Sequence, residues 1–419
     1  MILLSACSLA TEVGAAAEKV VVSFDPLLKL PSAFSMDQDE FEKTFAREID
    51  PADKEGKGRP FQFSWMTKAR DRAVFMKSSF RGAPVEFSCF DGEVPCEEVT
   101  VDFNAGRISG VSISIYNRAD SKDVGTEEFQ NRFVTTGRKM GAIISGRPIA
   151  RKADSRQGLL TDGWSWTDTD SMAVLERNPE AESGTLEFLR LRFAPRGASG
   201  PIANSVRSGN KSRVRKSDLP EHVFRKNGDV WIKDIPMVDQ GPKGYCVVAS
   251  IQRLFEHYGI PCDQHQLAEM AGTDAEEGTS SVAIMSLLGK VDYRFKTRFD
   301  TLGVRFTSGR LFSVKVRSGE RFDAGSEFDE RDFEKQLVRT IDAGIPILWA
   351  LQLGKYPEEP SISQQAAGGH MRMIIGYNLK DRKVIFTDSW GAGHEFKRMK
   401  IRDAFRATTG IFTITPTVN

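Results

Sequence analysis

Alternating apolar and polar residues mark predicted strands in the first half of the chain. Residues 99–103 and 110–116 both have this period of two, which is typical of strands with one buried face. A helix is predicted at residues 127–144, because the segment opens after Gly125 and Thr126 and closes near Gly146. Residues 20–195 are therefore expected to form an α+β domain, whose type and function the sequence does not identify.

Two short runs in this predicted domain are similar to each other. Residues 63–65 and 164–166 both read aromatic-Ser-Trp, and residues 73–75 and 173–175 both read Ala-Val followed by an apolar residue. The similarity is too short to define a repeat.

The clearest helical pattern starts at Cys246. Apolar residues recur on one side of the predicted helix: Val247, Val248, Ile251, Leu254, Phe255 and Tyr258. Gly259 is expected to end this helix, and Pro261 cannot continue it. Cys246 is thus predicted to lie at the N-terminus of a buried helix.

Later segments predict a further helix and three strands. Residues 333–344 read as a helix, and residues 345–351 as a buried strand. Two more strands are expected on either side of residues 378–382, which make a suitable hairpin loop.

This hairpin brings His370 and Asp388 together if Tyr377 pairs with Lys383. In that register His370 lies opposite Trp390, and Asp388 is its diagonal neighbour on the same face. Diagonal neighbours are about 7–8 Å apart at the backbone, so the carboxylate can reach the imidazole.

Residues 197–217 contain neither an acidic nor an aromatic residue, and their last part is basic. Such a segment cannot bury enough apolar surface to order itself, so residues 196–219 are predicted to be a linker. A proteolytic processing site is the alternative interpretation. The linker separates the predicted domain at 20–195 from a second domain at 220–419.

Charge and composition exclude some functions. The 419 residues include 58 Lys and Arg against 57 Asp and Glu, so there is no general attraction to nucleic acid. No apolar run is long enough for a membrane-spanning helix.

Residues 1–19 are expected to be an export signal, because a short apolar run precedes the polar segment. One reading is a lipoprotein signal with a lipid anchor at Cys7, and the other is an ordinary cleavage site at residues 15–17. The basic leader of such signals is missing, and a plain flexible tail is the alternative. We therefore expect an exported protein.

Five cysteines are too few for a disulfide scaffold. Cys89 and Cys96 flank a glycine-containing turn and could form a bridge in an exported protein, or remain two buried thiols. Neither spacing nor nearby histidines indicate a metal site, and no cofactor is expected.

Cysteine at a helix N-terminus is suited to nucleophilic catalysis, because the helix dipole stabilises the thiolate. Glycines in the preceding loop can aim backbone N–H groups at an oxyanion, and Gln240 can add its side-chain amide. His370 can act as the base for Cys246, with Asp388 orienting it.

The order Gln240, Cys246, His370, Asp388 resembles the papain clan, and the pattern between them is similar to the bacteriocin-processing peptidase (C39) family. Residues 262–272 and 278–289 correspond to that family's second and third helices. The resemblance implies a papain-like fold, with a helical subdomain and an antiparallel sheet, from about residue 230 onward. It also implies a cysteine peptidase acting on a peptide or protein substrate.

Some features depart from these relatives. Asp388 stands where papain has Asn in its Asn-Ser-Trp-Gly run, and Val247 stands where papain has an aromatic residue. The bacteriocin-processing enzymes are fused to a membrane exporter that this sequence lacks, so their double-glycine specificity is not carried over.

Other interpretations remain open at this point. The same triad could transfer the acyl group to an amine, as transpeptidases do, or the domain could bind peptides without catalysis. The N-terminal half could be an inhibitory pro-region or a targeting module. Four residues are expected to be non-catalytic: His257, His265, His394 and Cys262.

Overall fold

The computed structural model describes residues 19–47, 61–80, 84–121, 123–154, 159–207, 214–272, 289, 292–305, 310–317, 321–361 and 368–418, with the backbone alone at 313–317 and 321–324. Cys7 lies outside these residues, as does all but the last residue of the helix predicted at 278–289. Within them, no helix combines the length and the apolar character needed to span a membrane.

The N-terminal half, residues 19–207, combines helices with two sheets, which are antiparallel apart from one parallel strand pair in the smaller sheet. Its helices are α1 (Gln38–Thr44), α2 (Thr126–Ile143) and α3 (Pro201–Arg207). Its strands are β1 (Val20–Ser23), β2 (Ser64–Trp65), β3 (Arg72–Met76), β4 (Val85–Cys89), β5 (Val94–Cys96), β6 (Glu98–Asn104), β7 (Arg107–Asn117), β8 (Ile149–Arg151), β9 (Asp162–Thr167), β10 (Ser171–Arg177) and β11 (Phe188–Pro195). The helix and strands predicted here are confirmed as α2, β6 and β7.

The large sheet of this half has two matching sets of strands. Its order is β2-β3-β6-β7-β11-β10-β9-β8, so the two sets meet at β7 and β11. Trp65 pairs with Ala73 in the first set, and Trp166 pairs with Ala173 in the second. The short similarity in the sequence therefore corresponds to equivalent hairpins of one sheet.

Helix α3 corrects the linker prediction. Ile202 and Val206 pack with a small apolar patch formed by Met172, Val174 and Ala194 of the large sheet. The Ile202 N–H also donates to Asp102 Oδ2 at 3.2 Å. Residues 201–207 are ordered because the sheet covers their apolar face, which composition alone does not reveal. Residues 208–213 lie outside the described part of the chain.

The C-terminal half, residues 214–418, is built on a second antiparallel sheet. Its strands are β12 (Val223–Lys226), β13 (Asp229–Ile232), β14 (Thr297–Arg305), β15 (Leu311–Arg317), β16 (Arg321–Glu327), β17 (Ile347–Leu353), β18 (Gly368–Asn378), β19 (Lys383–Thr387), β20 (Lys397–Lys400) and β21 (Thr408–Pro416). The order is β12-β13-β18-β17-β21-β14-β15-β16, with β19 beside β18 and β20 beside β19.

Helices cover both faces of this sheet. They are α4 (Cys246–His257), α5 (Gln264–Ala271), α6 (Glu330–Asp342) and α7 (Ile401–Ala407). One core joins α4 and α5 to the sheet, and a second core joins α6 and α7 to its opposite face. The predicted α+β class, with helices packed on an antiparallel sheet, is confirmed.

The observed bounds differ slightly from the predicted ones. Helix α6 begins three residues before the predicted start, because the Asp329 carboxylate accepts the N–H groups of Arg331 and Asp332. Strand β17 is shifted by two residues from the predicted 345–351. Helix α4 ends where Gly259 adopts a φ of 70°, as the sequence predicts.

Candidate active site

Cys246 is the first residue of α4, and its side chain is half-buried. The apolar face of α4 is held in the core by Val248, Ile251 and Leu254, which fixes the helix against the sheet. Backbone N–H groups in a first helical turn have no partner within the helix, and they favour negative charge there. The fold therefore places this thiol where its anion is stabilised.

The hairpin of β18 and β19 has a different register from the predicted one at its loop. Asn378 pairs with Lys383, whereas the prediction paired Tyr377 with Lys383. An irregularity between Ile374 and Gly376 then shifts the pairing by one residue, so Met373 faces Thr387. Beyond this bulge the register is the predicted one.

His370 and Asp388 meet at the open end of this hairpin. The Nε2 atom of His370 lies 2.7 Å from Oδ1 of Asp388, and both side chains are buried. The Cys246 side chain lies close enough to His370 to be one of the groups that raise the pKa of the imidazole. The three residues predicted to form a triad are thus brought together.

The pKa values of His370 and Asp388 shift in opposite directions. Burial lowers the pKa of His370, but hydrogen bonds with Asp388 and Cys246 outweigh it and raise the pKa to about 9. Burial raises the pKa of Asp388, whereas the His370 hydrogen bond and the Arg372 charge lower it to about 2. Both shifts favour a charged imidazolium–carboxylate pair.

A chain of buried charges continues behind Asp388. Arg372 Nε donates to Asp388 Oδ2 at 2.7 Å, and its Nη1 donates to Glu358 Oε2 at 2.6 Å. Lys397 Nζ donates to Glu358 Oε1 at 2.5 Å. These side chains are almost completely shielded from solvent, and they fix the carboxylate that faces His370.

Trp390 covers the imidazole. Its ring stacks on His370 with the centroids 4.7 Å apart and an angle of 28° between the planes. His394 packs edge-on against the indole, with the ring centroids 5.4 Å apart, and its backbone carbonyl accepts the Asp388 N–H. The stacked ring limits the access of water to the bond between His370 and Asp388.

Gln240 lies beside the start of α4 and is held by its backbone and its side chain. Its backbone N–H donates to the Ser389 carbonyl at 2.9 Å, and its Oε1 accepts the Ser389 hydroxyl at 2.8 Å. Its Nε2 donates to the Lys243 carbonyl at 3.2 Å, which uses one of the two amide hydrogens. The second hydrogen can serve an oxyanion.

Arg253 connects α4 to the other segments of the site, and it was not predicted from the sequence. From inside α4 it donates to the carbonyls of Asp388 and Pro236 and to the hydroxyl of Thr387. Arg372 was missed as well, although it stands two residues after His370 on the same strand. A charged residue inside an otherwise apolar helix face or strand is the signal that could have indicated both.

The remaining histidines and Cys262 take no part in this geometry. Burial lowers the pKa of His257 to about 4, and its Nδ1 lies 3.3 Å from the Asp234 carbonyl. His265 packs edge-on against Tyr245, and Cys262 is a buried thiol whose pKa burial raises. Among the residues that the structure describes, no cluster of three metal-ligating side chains occurs.

Cys89 and Cys96 lie on neighbouring strands, β4 and β5, as two buried thiols. Burial and the contact with Cys89 raise the pKa of Cys96. The structure therefore has the second of the two arrangements considered for this pair.

Comparison with known proteins supports the C-terminal assignment. Residues 232–411, a little under half of the chain, match the model of the Peptidase_C39 like family. The resemblance found in the sequence is confirmed over this range. The crystal structure of xylellain, a cysteine protease from Xylella fastidiosa, is similar with 14% identity and a TM-score of 0.27, over 50% of this chain and 92% of xylellain. A search of curated proteins gave no match.

Proposed function

We propose that the C-terminal half is a cysteine peptidase that hydrolyses peptide bonds in a peptide or protein substrate. Cys246 is the nucleophile, His370 the general acid and base, and Asp388 the group that orients the imidazole. The observation that carries the proposal is the proximity of His370 to both Cys246 and Asp388.

In the first step the Cys246 thiolate attacks the carbonyl carbon of the scissile bond and forms a C–S bond. The carbonyl oxygen becomes an oxyanion, which the Gln240 amide and the Cys246 backbone N–H stabilise. The C–N bond then breaks, and the leaving amine takes a proton from the His370 imidazolium. The products of this step are an amine and a thioester on Cys246.

Water completes the reaction. Neutral His370 takes a proton from water, and the hydroxide attacks the thioester carbonyl. Collapse of the second oxyanion breaks the C–S bond, and the peptide acid leaves. The thiolate and the imidazolium are thereby restored, with Asp388 charged throughout.

Alkylation by iodoacetamide near pH 7 tests the nucleophile. We expect fast labelling of Cys246, which mass spectrometry of peptides can locate, and slower labelling in His370→Ala. Cys246→Ala should lose the label, whereas the control Cys262→Ala should retain it, because that thiol is buried. Unreactive Cys246 would contradict the proposal.

Incubation with a peptide library tests the reaction itself. Hydrolysis should yield new carboxyl termini that are absent from the Cys246→Ala sample. Ligated products in the presence of an amine acceptor would instead identify an acyl transferase. Unchanged peptides together with an unreactive Cys246 would favour the alternative interpretation, a domain that binds peptides without catalysis.

A further inference from the structure

The loop that leads into Cys246, residues 236–245, carries Gln240 and is contacted by the N-terminal half. We call it the approach loop. Met237 packs with Met66 and Val74 of the N-terminal half, and its carbonyl accepts a hydrogen bond from Arg72 at 3.2 Å. The approach loop is therefore held at its start by the large N-terminal sheet.

An ion pair holds the same loop near its end. Lys243 Nζ lies 2.5 Å from Asp120 Oδ2, and the Lys243 side chain is only 12% exposed. Asp120 belongs to a tight turn after β7, in which its N–H donates to Asn117 Oδ1 at 3.0 Å. Burial raises the pKa of Asp120, but the Lys243 charge, together with the His265 charge and the hydrogen bonds with Lys243 and Asn117, outweighs it and lowers the pKa, so the carboxylate is charged.

Lys243 connects this ion pair directly to Gln240. The Lys243 carbonyl accepts the hydrogen bond that orients the Gln240 amide. Its ammonium also lies 5.6 Å from the ring of Tyr245, the residue before Cys246, which packs in a core that includes Ala119. A shift of Lys243 would therefore move the amide assigned to the oxyanion.

Buried ion pairs also join the two halves. Arg72 bridges Asp102 of its own half and Glu256 of α4, and Arg190 contacts Asp263 at the start of α5. Each of these charged groups is buried against a partner from the other half, so a half that leaves the other exposes a surface on which these charges have lost their partners. Such a contact suits a permanent partner better than a segment released on activation.

We propose that the N-terminal half is a permanent part of the enzyme that positions the approach loop, with Asp120 as a positioning residue acting through Lys243. This inference rests on the proposed function, because it assigns a role in orienting Gln240. It disfavours an inhibitory pro-region, for which removal should raise activity.

Hydrogen exchange and kinetics of the full chain test the role of Asp120. In Asp120→Asn we expect faster amide exchange at residues 236–245 and a fall in kcat of roughly ten- to a hundredfold, with KM less affected. The charge-swapped double variant Asp120→Lys, Lys243→Asp should recover both properties in part. Asp300→Asn, which removes an exposed ion pair with Arg298, is the matched control and should change neither.

The outcomes separate the two proposals. Unchanged exchange in Asp120→Asn, or faster exchange with unchanged kcat, would overturn the positioning role. The wild-type protein could lack peptidase activity while amide exchange at residues 236–245 is still faster in Asp120→Asn. This result would overturn the proposed function, but the contact of Asp120 with the approach loop would stand.

Cutting the chain between the halves gives an independent readout. A site for a specific protease is inserted within residues 208–213, and the purified protein is treated with that protease to divide the chain between its halves. We expect the two pieces to elute together in size-exclusion chromatography and to retain activity. Dissociation with a gain in activity would overturn the inference and identify a pro-region.

Discussion

Arg372 and Asp388 form an ion pair that is completely shielded from solvent, with Arg372 Nε 2.7 Å from Asp388 Oδ2. The other oxygen of this carboxylate faces His370 and also accepts the Ser389 N–H at 3.0 Å. Both carboxylate oxygens of Asp388 thus have hydrogen-bond partners. The carboxylate can neither rotate nor take up a proton without breaking one of these bonds, which fixes the imidazole in turn.

Replacing Arg372 by Met should strongly destabilise the protein. The change removes one charged partner from each of two buried carboxylates, Asp388 and Glu358, which keep only His370 and Lys397, at a cost of about 3–5 kcal/mol in the free energy of unfolding. Urea denaturation measures this loss. Arg382→Met is the control, because Arg382 is exposed and pairs with Glu334 at the surface, where the loss should be below about 1 kcal/mol. Similar losses in the two variants would show that the buried ion pair contributes no more to the free energy of unfolding than the exposed one.

The pH dependence of kcat should change in Asp388→Asn. Acylation needs the imidazolium to protonate the leaving amine, and the raised pKa of His370 keeps it charged until the pH rises through about 9. Without the carboxylate this pKa should fall, so the alkaline limb of the profile should move toward the ordinary value of about 6.5. A limb that stays near its wild-type position would contradict the assigned role of Asp388.

The local sequence pattern was sufficient to predict the helix and the hairpin that carry the residues of the candidate active site. Helix α4 could be predicted because its apolar spacing and its end at Gly259 are encoded within a few residues. The hairpin partners His370 and Asp388 followed from a period of two and a short loop. The predicted loop pairing was wrong by one residue, and the bulge at Ile375 restored the register. Gly376, inside the strand, is the local signal that could have indicated this bulge.

Features that depend on distant segments could not be predicted. Arg372, Glu358 and Lys397 each resemble surface residues, and they become buried only because β18, β20 and the loop after β17 meet. The same holds for α3, whose apolar face is covered by a sheet formed earlier in the chain. Contacts between Asp120 and Lys243 likewise join residues that are far apart in sequence.

Trp390→Ala should lower kcat by about tenfold while the protein stays folded. Removing the indole opens the His370–Asp388 bond to water, which competes for the carboxylate and weakens the orientation of the imidazole. Steady-state kinetics on any peptide cleaved by the wild-type protein measures the effect. Trp390→Phe keeps an aromatic ring on His370 and should retain most of the activity. Equal losses in the two variants would argue against shielding by the stacked ring.

A comparison of Gly391→Ala with Gly393→Ala should separate the effect of backbone strain from the effect of a close contact between the added methyl group and Asp239. Both glycines have positive φ, 75° and 88°, so alanine costs about 1–2 kcal/mol at either position. At Gly393 nothing lies within 4 Å of the added methyl group, whereas at Gly391 it would lie 2.9 Å from Asp239 Oδ2. Asp239 accepts the Gly241 N–H through its other oxygen, so the clash should displace the approach loop and with it Gln240.

Gly391→Ala should therefore lose more stability in urea than Gly393→Ala, by roughly another 1–3 kcal/mol for the overpacking. Its kcat should also fall severalfold, because the loop that carries Gln240 moves, while Gly393→Ala should remain close to the wild type. Since both substitutions impose the same left-handed strain, only the contact with Asp239 distinguishes them. Equal kcat values would mean that the loop tolerates this displacement, and that the position of Gln240 is not critical for turnover.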